Sequence, residues 1–121
     1  MTVLDGQRNR NKELKLAYKL AFPVMGIYAI RHLGNGRIYL DQSSNLNGAL
    51  NRHRLELKLG THRNRALQQD WCEFGEAQFS FEILEQIKER TDPAFDYAAE
   101  LGRCLAAWRL RVPSGTPESY N

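Results

Sequence analysis

The sequence predicts a small α+β domain, a three-stranded antiparallel sheet flanked by helices. Two observations carry that expectation. Apolar spacing along the chain changes in the order helix, hairpin, two helices, strand, helix. The two strands of the hairpin would leave their edges open, so a third is needed, and one later segment alternates as a strand should.

Residues 1–10 read as a basic leader, and 11–21 as a helix with Leu14, Ala17, Tyr18 and Ala21 at helical spacing and Asn11 as its cap. Pro23 ends it, so residues 1–22 form one unit and 23–121 the domain proper. MGIYAIRHL (25–33) is the first strand, Gly34-Asn35-Gly36 the turn and RIYLD (37–41) the returning strand. A helix follows Ser43-Ser44-Asn45 with Leu46, Leu50 and Leu57 along one face. The next runs from Asn64 to Phe74, with Leu67, Trp71 and Phe74 as its apolar stripe and Gly75 as its stop. FSFEILEQI (79–87) supplies the third strand, Phe79, Phe81, Ile83 and Glu85 alternating with Ser80, Glu82 and Leu84. The last helix spans 93–110, with Phe95, Leu101, Leu105 and Trp108 inward, and the tail RVPSGTPESYN is irregular.

Composition narrows the functional classes. An apolar content of 42% and a charged content of 26% fit a globular domain rather than a disordered chain. The longest apolar run, 21–30, is interrupted by Pro23 and Gly26, so nothing approaches the roughly 18 residues that span a bilayer. The leader has no apolar core of a signal peptide, which makes the cytoplasm the expected compartment. Cys72 and Cys104 lack metal-type spacing and fall on apolar helix faces, so both are expected to be buried free thiols. The net charge of +3 is unevenly spread: residues 8–65 carry twelve basic and three acidic side chains, while 70–100 carry nine acidic ones against Lys88 and Arg90. Such a split suits a polyanionic partner, although an unevenly charged solvated surface fits the composition equally well.

Several motifs occur in a fixed order. Gly26-Ile27-Tyr28 lies on the first strand, and Tyr39-Leu40-Asp41 on the second, Tyr39 coming eleven residues after Tyr28. His53 follows on the first helix. GTHRNRALQQDWCEFGEAQFSFEIL (60–84) contains His62, Asn64, Asp70-Trp71, Gly75 and a Phe-x-Phe-Glu, and the chain ends in Tyr120-Asn121. Over residues 24–121 this order resembles the GIY-YIG nuclease superfamily.

The resemblance implies a metal-dependent endonuclease site. Phosphodiester hydrolysis needs a base for water, a cation for the phosphate and a metal held by a carboxylate. By this likeness Tyr28, Tyr39 and His53 fall on catalytic positions, His62 on a second loop histidine, and Asn121 on a terminal asparagine. Two positions depart. The phosphate-binding arginine, four residues before the histidine, is Ala49, and the metal-holding glutamate, three residues before Trp108, is Leu105. The glycine of the second motif has become Asp41.

Each residue also has a plainer reading. Tyr28 and Tyr39 fit half-buried sheet aromatics. His53 between Arg52 and Arg54 fits a solvated basic helix face, and both readings stay open. His62, Arg63 and Asn64 fit a loop and helix cap, with phosphate contact as the alternative. Asp41 fits a turn better than a relocated metal ligand. Glu100 lies five residues from Leu105, about 140° around a helix, and should face elsewhere. Arg52 is three residues from Ala49, on roughly the same face, and is the best candidate for a substitute phosphate binder.

One phosphate contact of this kind is worth roughly 3–4 kcal/mol in the transition state. Losing it together with the metal ligand implies a nucleic-acid-binding protein, DNA first, with weak or lost hydrolysis. Arg52, Arg54, His62, Arg63, Asn64 and Asn121 are its expected contacts. No metal site and no cofactor are expected, magnesium or manganese entering only if the alternative holds, an active endonuclease with relocated residues. A protein-interaction scaffold using the acidic half is the third reading.

Overall fold

The computed structural model describes residues 22–113 and 115–121. The leader and the helix expected over 11–21 lie outside the described residues. Strand β1 (Met25–His32) is central, with β2 (Ile38–Ser43) and β3 (Phe79–Ile87) antiparallel on either side. Between β2 and β3 come α1 (Leu46–Leu59) and α2 (Arg65–Phe74), and α3 (Tyr97–Arg111) closes the order. No helix among the described residues is long and apolar enough to cross a membrane.

Strand alternation sends successive side chains of β1 to opposite faces. Tyr28 and Ile30 meet α1 and α2 through Leu46, Leu50, Leu57, Leu67 and Trp71. Met25, Ile27 and Ala29 meet α3 through Leu101 and Leu105. The sheet is thus covered on both faces, which is why β1 reads as a nearly unbroken apolar run. Each large side chain buried in this way contributes roughly 1.5–3 kcal/mol.

The expected alternation of β3 holds for Phe79 and Phe81 and then fails. Tyr28 pairs with Ile83 but Ile27 pairs with Glu85, leaving Leu84 as an extra residue in a β-bulge. Leu84 consequently joins the α3 side of the core, while Ile83 is left 46% exposed beside Tyr28. Gly26 sits at this bulge, and a Cβ there would lie 1.9 Å from the Glu85 carbonyl oxygen. The first residue of the Gly-Ile-Tyr motif is therefore demanded by backbone packing.

Four other expectations are corrected. Helix α3 begins at Tyr97, four residues late, because Asp96 caps the Ala99 amide and Asp92 holds 92–95 in a turn. Phe95 therefore packs beside the helix, edge-on to the Tyr97 ring. Phe74 is exposed, since α2 buries only Leu67 and Trp71. Cys72 is exposed and Cys104 half-buried, so neither is a core thiol.

The tail is not irregular in its last residues. Ile38 N–H donates to Glu118 O, Tyr120 N–H to Ile38 O, and Leu40 N–H to Asn121 Oδ1 at 2.8 Å. Residues 118–121 so cover the outer edge of β2, which would otherwise expose a row of unpaired amides.

Candidate active site

Four aromatic rings meet on the α1 side of the sheet. Tyr28 on β1 and Tyr39 on β2 lie with ring centroids 6.5 Å apart, and His53 packs 5.3 Å from each. Helical spacing explains how α1 delivers the histidine: Leu46, Ala49, Leu50, His53 and Leu57 form its single buried stripe. Tyr28 Oη and His53 Nε2 are 2.5 Å apart, and His53 Nδ1 and His62 Nε2 are 2.7 Å apart.

His62 is held by the loop after α1. Gly60, in the left-handed conformation, ends the helix, and the Asn64 amide donates to His62 Nδ1 at 3.0 Å. Gln68 pins the same loop by accepting from the His62 amide and donating to Leu57 O, a role with no signal in the sequence beyond its place one turn into α2.

Burial sets the electrostatics. It raises the hydroxyl pKa of Tyr28 and of Tyr39, and the Asp41 carboxylate raises both further. It lowers His53 to about 4, reinforced by His62 and Arg52, and it lowers His62 as well. The cluster is therefore uncharged at neutral pH. Between pH 6.5 and about 4 the unfolded chain takes up a proton on His53 that the folded one resists, so stability falls on acidification through that window. From pH 7.5 to 5, urea midpoints should record a loss of about 2 kcal/mol from this residue. In His53→Gln that part of the loss should vanish; an unchanged slope would mean His53 titrates normally.

Positive charge reaches the cluster from Arg52 and Arg63, both of which act on the two tyrosines. Arg52 also pairs with Glu56 at 3.3 Å, an i,i+4 contact that the sequence spacing allows. Arg54, two residues on and about 200° around the helix, does not join them; its guanidinium lies 4.4 Å over the Phe81 ring. Asn64 caps α2 through the Leu67 amide and donates to Tyr120 O, and Asn121 caps the β2 edge. Both asparagines are occupied structurally, as are Arg31, Arg37 and Lys58 in ion pairs with Glu82, Asp70 and Glu76. Among the described residues the basic half of the sequence is thus partly neutralised by the acidic half.

Among the described residues the cleft shows no ready set of ligands for a divalent ion. The carboxylates whose charges reach the cluster are Asp41 and Glu56. Asp41 Oδ1 accepts from the Gln42 amide, Glu56 holds Arg52, and no group of three or more His, Cys, Asp or Glu among the described residues converges as a ligand set. Ala49 is buried against Tyr28, Leu46 and Leu50. Leu105 packs with Ile27, Ala29, Ile38 and Leu40 on the opposite face of the sheet, so it does not stand at the edge of this cleft. Glu100, on the same helix, pairs with Arg103 and also remains apart.

Similarity in three dimensions agrees with the motif order. The catalytic domain of the homing endonuclease I-TevI superposes with a TM-score of 0.65 at 25% identity, over 80% of this chain and 96% of that one. A point-mutant form of the same intron endonuclease domain gives 0.66 at 23% identity, over 81% and 92%. That domain is a GIY-YIG nuclease. The chain has a GIY-YIG-like fold. Protein-family models and curated proteins, searched by sequence, give no match. On this GIY-YIG-like frame the structure brings Tyr28, Tyr39, His53 and His62 together with Arg52 and Arg63, while the side chains of Arg54, Asn64 and Asn121 are engaged elsewhere.

Proposed function

We propose that the protein binds nucleic acid, DNA in the first instance, by its phosphate backbone at this cleft, with weak or lost phosphodiester hydrolysis and a cytoplasmic site of action. One observation supports the reading: Tyr28, Tyr39, His53 and His62 meet in a nuclease-like fold, while the positions that the motif resemblance gives to the cation and the carboxylate are Ala49 and Leu105, both buried among apolar side chains. Arg52 and Arg63 provide the phosphate contacts, and Arg65 at the start of α2 extends them.

Three backbone contacts predict that log affinity for duplex DNA falls with log salt at a slope of about 2.7, at roughly 0.9 per phosphate. Replacing Arg52 and Arg63 together with alanine should remove most of that slope and weaken different sequences alike, because phosphates carry no sequence information. Gel-shift assays on duplex and single-stranded DNA, with and without magnesium, separate the readings. A shift without cleavage is the expected result. Cleavage would favour an active enzyme with a relocated arginine, which the field of Arg52 at the tyrosines supports. Neither shift nor cleavage would leave a protein-interaction scaffold.

A further inference from the structure

We infer that His62 is a positioning residue that fixes the neutral His53 as its Nε2–H form and so makes Tyr28 Oη an acceptor from His53, its own proton left to donate to an anion that reaches this buried hydroxyl. The starting point is a donor that cannot reverse. A backbone amide only donates, and the Asn64 amide is 3.0 Å from His62 Nδ1, so that nitrogen must present its lone pair. A neutral His62 then carries its proton on Nε2, and Nε2 faces His53 Nδ1 at 2.7 Å. That makes His53 Nδ1 the acceptor and leaves the His53 proton on Nε2, 2.5 Å from Tyr28 Oη.

The chain therefore runs one way: Asn64 amide, His62, His53, Tyr28. Reversing it would set a proton on His62 Nδ1 against the Asn64 N–H. Protonating either imidazole a second time is opposed by burial, His53 being 3% exposed and His62 7%. His53 cannot take the Tyr28 proton in this arrangement. Tyr28 accepts from His53 and keeps its own hydrogen as a donor, on the same cross-strand row as Asp41 and beside the charges of Arg52 and Arg63. Donor chains of this kind polarise one another, which strengthens the last donor. In this arrangement the His53–Tyr28 pair, with Tyr28 itself 1% exposed, offers a donor and no base for water. This fits weak hydrolysis, and it rests on the proposed reading only for the identity of the anion.

The test is nitrogen NMR of the side chains at pH 7. In the full chain both His53 and His62 should give the Nε2–H signature, with a scalar coupling across the N–H···N bond from His62 Nε2 to His53 Nδ1. An Nδ1–H signature on His53 would overturn the inference without any variant. His62→Glu replaces the donor with an acceptor and should switch His53 to Nδ1–H; retention of Nε2–H in that folded variant would show that His62 does not set the form. If the variant does not fold, the wild-type coupling decides, its absence or reversed direction refuting the relay. Inorganic phosphate should then shift the Tyr28 ring resonances. A correct relay with no phosphate response would count against the anion reading, while the assignment of His62 would stand.

Discussion

Replacing Leu105 with glutamate should cost about 4 kcal/mol or more and create no magnesium site. Aligned motifs put a metal-holding carboxylate here, and reinstating it beside Ala49→Arg would be the obvious route to activity. The fold argues otherwise. Leu105 is 7% exposed and packs with Ile27, Ala29, Ile38 and Leu40 on the sheet face turned away from Tyr28. A carboxylate there loses the leucine's packing and is buried without a partner. Against a typical total stability of roughly 5–15 kcal/mol, that is enough to unfold much of the population. Thermal unfolding followed by circular dichroism measures the loss, and calorimetric titration with Mg²⁺ measures the absent site. A Leu105→Glu, Ala49→Arg protein that folds and cuts DNA with manganese would mean that α3 can present this position to the cleft after all.

Gly26→Ala should destabilise the domain by about 3 kcal/mol, on the scale of severe backbone strain. The new Cβ would meet Glu85 O at 1.9 Å and Gln86 Cα at 2.9 Å, both backbone atoms of the bulged neighbour strand, and it would hold φ at +157°. Nothing flexible can yield, so the β1–β3 ladder must open beside Tyr28. Gly36→Ala is the control. Gly36 has φ +76° but empty space around it, so it should cost about 1 kcal/mol, the conformational term alone. Urea midpoints of the two variants should differ clearly. Equal midpoints would show that the close approach at Gly26 relaxes cheaply.

Much of the architecture was legible because it depends on short-range geometry. Asn64 and Gly75 mark the ends of α2 by hydrogen bonds to residues within one turn. The period of Leu46, Leu50 and Leu57 marks the buried face of α1, and His53 falls on it, although between Arg52 and Arg54 a solvated position fitted the sequence equally well. Tyr28 and Tyr39 on paired strands were bound to lie near each other once the hairpin closed. Sequence spacing therefore determined the order of the described elements and the three-stranded sheet.

Other features depend on which distant atoms meet, and only the tertiary structure decided them. The bulge that sends Leu84 inward and leaves Ile83 exposed arises where β3 passes Gly26, some sixty residues away in the chain. Helical spacing sets Arg52 apart from Arg54, but only the fold shows that one is turned toward the tyrosines and the other onto Phe81. The basic half and the acidic half look separate, yet Arg31, Arg37 and Lys58 find their carboxylates across the fold. Leu105 lies on the far face because α3 packs where Ile27 and Ala29 need cover, a demand set by the opposite side of β1. Periodicity says which side of an element is buried. What it is buried against follows from long-range packing, and at this cleft that packing sets which charges the two tyrosines meet.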